Sequence, residues 1–214
     1  MNPARKARPT KKHKRNNTLA MIVTVLLAIV MLGVVAYIWF PTNSMMAINE
    51  PEGFKTLTTH YLDIMKNLNS SQTKTEMASQ LDPKYNQTDL FAWEGSKLTF
   101  QNAAAWSEDP MQILNSGDGI CVQWSVVYVS ACLALGYQSR LVVAVDTSSW
   151  SYIHVWAEDY YNGSWVHVDP SDKVWNNPLR YQSWDWGKYI GAEVKIYAFE
   201  DGKFEEVTSI YSTN

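Results

Sequence analysis

The sequence predicts an α+β domain, helical in its first half and antiparallel in its second, preceded by one membrane-crossing helix. Three observations carry this. From Thr18 to Phe40 the chain reads TLAMIVTVLLAIVMLGVVAYIWF, with no charged residue. A helix of that length rises roughly 34 Å, enough to cross a hydrocarbon core. Phe54, Leu57, Tyr61, Ile64, Met65 and Leu68 recur at three- and four-residue steps, the spacing of an amphipathic helix. From Ser139 onward, apolar runs are separated by Asn162-Gly163 and Asp201-Gly202, dipeptides that turn hairpins. Helices first and strands second is the α+β pattern.

Residues 1–17 form a basic tail with Arg5, Lys6, Arg8, Lys11, Lys12, Lys14 and Arg15 and no acid. The positive-inside rule keeps such a segment in the cytoplasm. Residues 18–40 are then the anchor, 41–50 a linker, and 51–214 one extracytoplasmic domain. A cleaved signal peptide is the rival reading, but its apolar core is normally about 7–15 residues. The small residues after Pro41 also make a poor cleavage site. Beyond the anchor, Asn69 to Thr75 is polar and reads as a loop, Glu76 to Leu81 as a short helix, and Leu90 to Phe100 is ambiguous. Asp109 to Leu114 reads as one or two helical turns, with Pro110 at the first position. A central helix follows from Cys121 to Leu135, ended by Gly136. Its valines at 126, 127 and 129 form helix poorly, so burial must hold it. Strands are expected at 139–145, 152–159 and 164–169, then a hairpin of 193–199 with 203–208.

All 21 acids lie after the anchor, against 11 of the 18 basic residues, a net charge of −10 outside. That disfavours nucleic acid as a partner. Cys121 and Cys132 are the only cysteines. On one helix they stand about 16 Å apart, too far for a disulfide, and without a CxxC pair they do not suggest zinc. No cofactor or metal is implied.

Chemistry concentrates at Gly117 to Cys132, GDGICVQWSVVYVSAC, where a glycine-rich turn delivers Cys121 onto the first turn of an apolar helix. The unpaired N–H groups and the dipole there favour a thiolate. With Asn162 and Gly163 as the two loop residues, facing strand positions sum to 325. Asp169 then faces Trp156, and His154 is its diagonal neighbour on the same face. A cysteine at a helix start with a His–Asp pair on a sheet is a layout for nucleophilic catalysis.

These segments resemble the transglutaminase-like superfamily: Cys121 at a helix start, Gly136 to Arg140 entering a strand, His154-Val155-Trp156-Ala157-Glu158, then Trp165 through Asp169-Pro170. Asp109-Pro110 to Leu114 with Ser116-Gly117 resembles the approach to that family's cysteine. The likeness covers roughly Ala92 to Asp172. It implies a papain-like triad of Cys121 as nucleophile, His154 as base and acid, and Asp169 as orienter. It also implies an oxyanion site from the Cys121 N–H and an upstream indole, Trp93 first and Trp106 second. Cys121-x-x-Trp124 and the HVW…WVHVDP pieces lean toward peptide:N-glycanase-like members, whose paired CxxC zinc motifs are absent from this sequence. Ile120 stands where relatives often carry Asp or Gln before the cysteine, and the calcium sites of animal transglutaminases have no counterpart.

The expected function is a membrane-anchored cysteine enzyme acting on amide bonds, with a protein or peptide substrate that carries glycan or not. Asn69, Asn86 and Asn162 begin glycosylation sequons. The alternative is an inactive ectodomain that binds peptide or glycan, which the aromatic stretch of Trp150, Trp175, Trp184, Trp186 and Tyr189 suits. Glu158 is expected to pair with Arg140, and His167 to share a face with Asp169.

Overall fold

The computed structural model describes residues 51–101, 106–182 and 193–211. A compact unit begins at Pro51. No helix among the described residues is long and apolar enough to cross a membrane. The anchor expected at 18–40 lies outside them, as do the flanking tail and linker and the aromatics Trp184, Trp186 and Tyr189.

The first half is helical. α1 (Glu52–Leu68) buries the stripe that the sequence marked, from Phe54 to Leu68. α2 (Ser71–Ala78) corrects the loop expected at 69–75. Ser70 caps it, its hydroxyl accepting from the Thr73 N–H, while Met77 and Thr73 are buried. Local capping wins there although the stretch has little apolar pattern. α3 (Gln87–Gly95) resolves the ambiguous segment, with Asn86 and Asp89 closing a reciprocal capping box. Short β1 (Thr99–Phe100) follows, then α4 (Pro110–Ser116), capped by Asp109. After β2 (Asp118–Gly119) comes α5 (Cys121–Ala134), apolar all round and almost wholly buried.

The second half is a six-stranded antiparallel sheet in the order β6-β5-β4-β3-β7-β8. Its strands are β3 (Ser139–Asp146), β4 (Ser151–Tyr161), β5 (Ser164–Asp169), β6 (Val174–Trp175), β7 (Val194–Glu200) and β8 (Lys203–Glu206). The β4–β5 hairpin turns at Asn162 (φ +51°) and Gly163 (φ +89°), both left-handed as a two-residue turn of this type needs. Its pairs run from Tyr161 opposite Ser164 to Ala157 opposite Val168, the register expected from sequence. α6 (Leu179–Gln182) and α7 (Thr208–Tyr211) are single turns. Thr208, expected in a strand, begins α7; its hydroxyl accepts from the Ile196 N–H.

β3 is buried on both faces. Leu141, Val143 and Val145 pack into the main core under the helices, while Val142 and Ala144 join Trp156, Tyr181, Ile196 and Tyr211 on the other side. Arg140 and Glu158 pair deep in the sheet, as the sequence suggested. Arg140 Nε and Nη2 donate to Glu158 Oε2 at 2.7 and 2.5 Å. The Arg140 guanidinium also lies 4.0 Å over the Trp165 ring. Removing one member strands the other's charge in a place that water does not reach. Arg140→Ala is therefore expected to destabilise the domain by about 3–5 kcal/mol, read from the urea midpoint. Adding Glu158→Gln to that variant should recover part of the loss.

Candidate active site

Cys121 is placed by a turn fixed on both sides. α4 ends at Gly117 (φ +74°), and Asp118–Gly119 pairs with Thr99–Phe100 in a short parallel ladder. Gly119 is required by close approach, since a Cβ there would sit 2.5 Å from Gln123 Cβ. The Gln123 side chain accepts from the Ile120 N–H at 3.1 Å and donates to Ser107 O at 3.2 Å. Cys121 thus becomes the first residue of α5, 7% exposed. The helix's unpaired N–H groups point to that end. Ser125 Oγ lies 2.8 Å from Cys121 O and 3.0 Å from Val155 O, so a single hydroxyl joins the cysteine's turn to the strand beside His154.

His154 is aimed by an irregularity in β4. Ala144 pairs with His154 and Val145 with Tyr152, leaving Ile153 as an extra residue. Such a bulge twists a strand and redirects the side chain next to it. On β5, Asp169 is fully buried. His154 Nε2 lies 2.6 Å from Asp169 Oδ2. The Tyr181 hydroxyl donates to that same oxygen and stands 3.2 Å from His154 Nε2. Asp169 Oδ1 accepts from Ser171 Oγ at 2.7 Å and from the Asp172 N–H at 3.0 Å.

These contacts set the charges. Burial raises the Asp169 pKa, but His154, Tyr181 and Ser171 outweigh it and hold the carboxyl at about 2. Burial lowers the His154 pKa, but hydrogen bonds to Asp169 and to Cys121, with the charges of both, lift it to about 9. Cys121 therefore acts on the imidazole, whose Nε2 is committed to Asp169. Burial, then Asp169, pushes the Tyr181 phenol well up, so it stays a donor.

The other residues singled out in the sequence fall as follows. Trp93 is partly buried against the main core, and Trp106 is 54% exposed with its ring 6.5 Å from that of Tyr152. His167 is buried, and neither ring nitrogen has a hydrogen-bond partner among the described residues. Desolvation lowers its pKa to about 4, so it is neutral near pH 7. Cys132 is a buried free thiol. Tyr181, Ser171 and Ser125 were missed. Ser171 had a local signal, because a serine two residues after Asp169 suits a side-chain turn. Tyr181 had none.

Residues 71–170 match the family model described as the transglutaminase-like superfamily. The chain carries a transglutaminase-like domain. It is 32% identical over 90 residues to a peptide-N(4)-(N-acetyl-beta-glucosaminyl)asparagine amidase of Oryza sativa subsp. japonica, covering 41% of this chain and 19% of that one. A protein of the same name from Gallus gallus is 30% identical over 119 residues, 55% of this chain and 17% of that one. The chain thus matches under a fifth of the length of these relatives. Among solved structures, a chain of the Rad4/XPC nucleotide excision repair complex superposes with a TM-score of 0.56 at 12% identity, covering 74% of this chain and 48% of that one. That likeness concerns the fold alone.

In the transglutaminase-like domain the buried pair should leave a pH signature. Asp169, held below the usual carboxylate value near 3.9, stabilises above that pH, and the gain is lost as pH falls through about 2. His154, held above 6.5, stabilises below that pH, and the gain is lost as pH rises through about 9. The stability difference between the wild type and Asp169→Asn is expected to be flat from about pH 4 to 6.5. It should shrink on both sides, as followed by denaturant midpoints across pH.

Proposed function

We propose that this protein is a membrane-anchored cysteine enzyme that acts on amide bonds through a thioester on Cys121. The observation that carries it is the buried 2.6 Å hydrogen bond between His154 and Asp169, with Cys121 at the start of α5 among the groups that raise the His154 pKa. The Cys121 sulfur, its proton passed to His154, attacks the carbonyl carbon. The C–N bond breaks, and imidazolium returns a proton to the departing amine. Water then attacks the thioester with His154 as base, releasing the acid and restoring the thiol. Asp169 keeps the ring oriented and its charge balanced. The Cys121 backbone N–H, at a helix start, serves the oxyanion. Of the two indoles, Trp106 has the support of position, because it adjoins Tyr152, whose phenol pKa is raised by burial and then by the charge of Cys121.

Hydrolysis of a peptide or side-chain amide is the first reaction class, and transfer to an amine the second. The amidase name of the relatives supports amide chemistry in general, and a glycosylated peptide substrate is part of the proposal. Residues 18–40 anchor the chain, with 1–17 cytoplasmic and 51–214 outside, which rests on the apolar run and the basic tail alone.

Alkylation tests the nucleophile. Iodoacetamide near pH 6 should modify Cys121 of the folded protein much faster than an ordinary thiol, and an ordinary rate would overturn the reading. Cys121→Ser should fold and be inactive. His154→Ala should lower amide turnover by about 10²–10⁴-fold. Tyr181→Phe removes one donor to Asp169 without touching substrate. It should lower kcat by about tenfold or less, leave KM unchanged, and shift the pH profile of turnover.

A further inference from the structure

A groove of about 490 Å3 has Glu52, Thr56, Tyr61, Ser149, Trp150 and Tyr152 among its walls, and Tyr152 stands on β4 two residues before His154. Burial is the main cause of the raised Tyr61 and Tyr152 phenol pKa values. The charge of Cys121 is the next cause for each, which puts both rings within its electrostatic reach. One wall is α1, which precedes residue 71, where the family match begins. The other is the turn between β3 and β4.

That turn is built to present an indole. Trp150 has a left-handed backbone, φ +54°, which a bulky aromatic residue rarely adopts. Its N–H donates to Asp146 O at 2.7 Å. The Asp146 carboxylate collects the Ser148 N–H at 2.9 Å and the Ser148 and Ser149 hydroxyls at 2.7 and 2.8 Å. The ring lies 4.8 Å from that of Phe54. Gly53 gives it room, since a Cβ there would stand 2.9 Å from Trp150 Cβ. Backbone strain held this firmly is found where a side chain must stand at a given place.

The groove also carries acid: Glu52 lines it, and Glu108 stands 2.9 Å from the lining residue His60. No lysine or arginine is among the described residues lining it. Aromatic faces beside carboxylates attract a cation with an apolar stem more than a neutral or acidic group.

We propose that this groove binds a lysine or arginine side chain of the peptide substrate, next to the amide attacked at Cys121. The proposal rests on the reading of Cys121 as nucleophile. It is tested with peptidyl acyloxymethyl ketones that differ only in the residue beside the ketone: lysine, norleucine or glutamate. The rate of Cys121 modification in the full-length chain is read by mass spectrometry, with iodoacetamide as the control. The lysine probe is expected to react at least about tenfold faster than norleucine, a cation–π contact and a carboxylate together supplying that factor, and glutamate slowest. Glu52→Gln should cut the lysine-to-norleucine ratio at least about threefold. Trp150→Gly, which also relieves the left-handed strain, should slow the lysine probe. Equal rates, or preference for norleucine or glutamate, overturn the proposal while fast iodoacetamide labelling leaves the nucleophile standing. Slow iodoacetamide labelling removes both. Should Trp150→Gly fail to fold, the surface variant Glu52→Gln decides alone.

Discussion

The hydrogen bond between His154 and Asp169 is an ion pair taken out of water, and most of the surrounding structure keeps it tolerable. A buried carboxylate without partners would neutralise itself by taking up a proton. Asp169 instead receives donors on both oxygens: His154 and Tyr181 on one, Ser171 and the Asp172 N–H on the other. Enough donors are supplied for the charge to persist, which in turn holds charge on the imidazole. The imidazole on which Cys121 also acts is thus already balanced by Asp169.

Keeping the pair requires the sheet to be in register. A one-residue slip in β4–β5 would send Asp169 to the opposite face from His154. The left-handed pair Asn162 and Gly163 prevents this at one end, and Val142, Ala144 and Trp156, packed on the same side, do so along the strands. On the opposite face α5 lies against β3 and β4 with Val126, Val129 and Cys132 fully buried. Cys121 is carried by an element that cannot rotate without opening that core.

Much of this was legible in the chain because it is local. A two-residue turn fixes strand pairing by counting, so the diagonal of His154 and Asp169 followed from Asn162-Gly163. The glycine-rich approach and the apolar helix placed Cys121. What escaped depends on tertiary packing or on caps within polar stretches. The helix at 71–78 is held by Ser70 and a single apolar anchor, Met77, too few for periodicity to register. The bulge at Ile153 leaves no mark in an apolar strand. Tyr181 comes to Asp169 from a single helical turn twelve residues on, and only the second core explains its position. The donor that completes the carboxylate was therefore invisible, although the carboxylate was not.

One face of β4 carries the same device twice. His154, Trp156 and Glu158 alternate along it, so the indole stands between two carboxylate systems. At one end Asp169 has His154 as its cation and Tyr181 as its phenol donor. At the other Glu158 has Arg140 as its cation and Tyr211 as its phenol donor. The Trp156 ring stacks 5.8 Å from His154, and its N–H donates to the Tyr211 hydroxyl at 3.1 Å. The two systems differ in one respect that matters chemically. A guanidinium does not give up its proton in a protein, whereas an imidazole does. The Arg140 end is therefore fixed and serves the fold. The His154 end has similar burial and similar partners, but with a cation that can lose its proton, which is the property that the chemistry proposed at Cys121 requires.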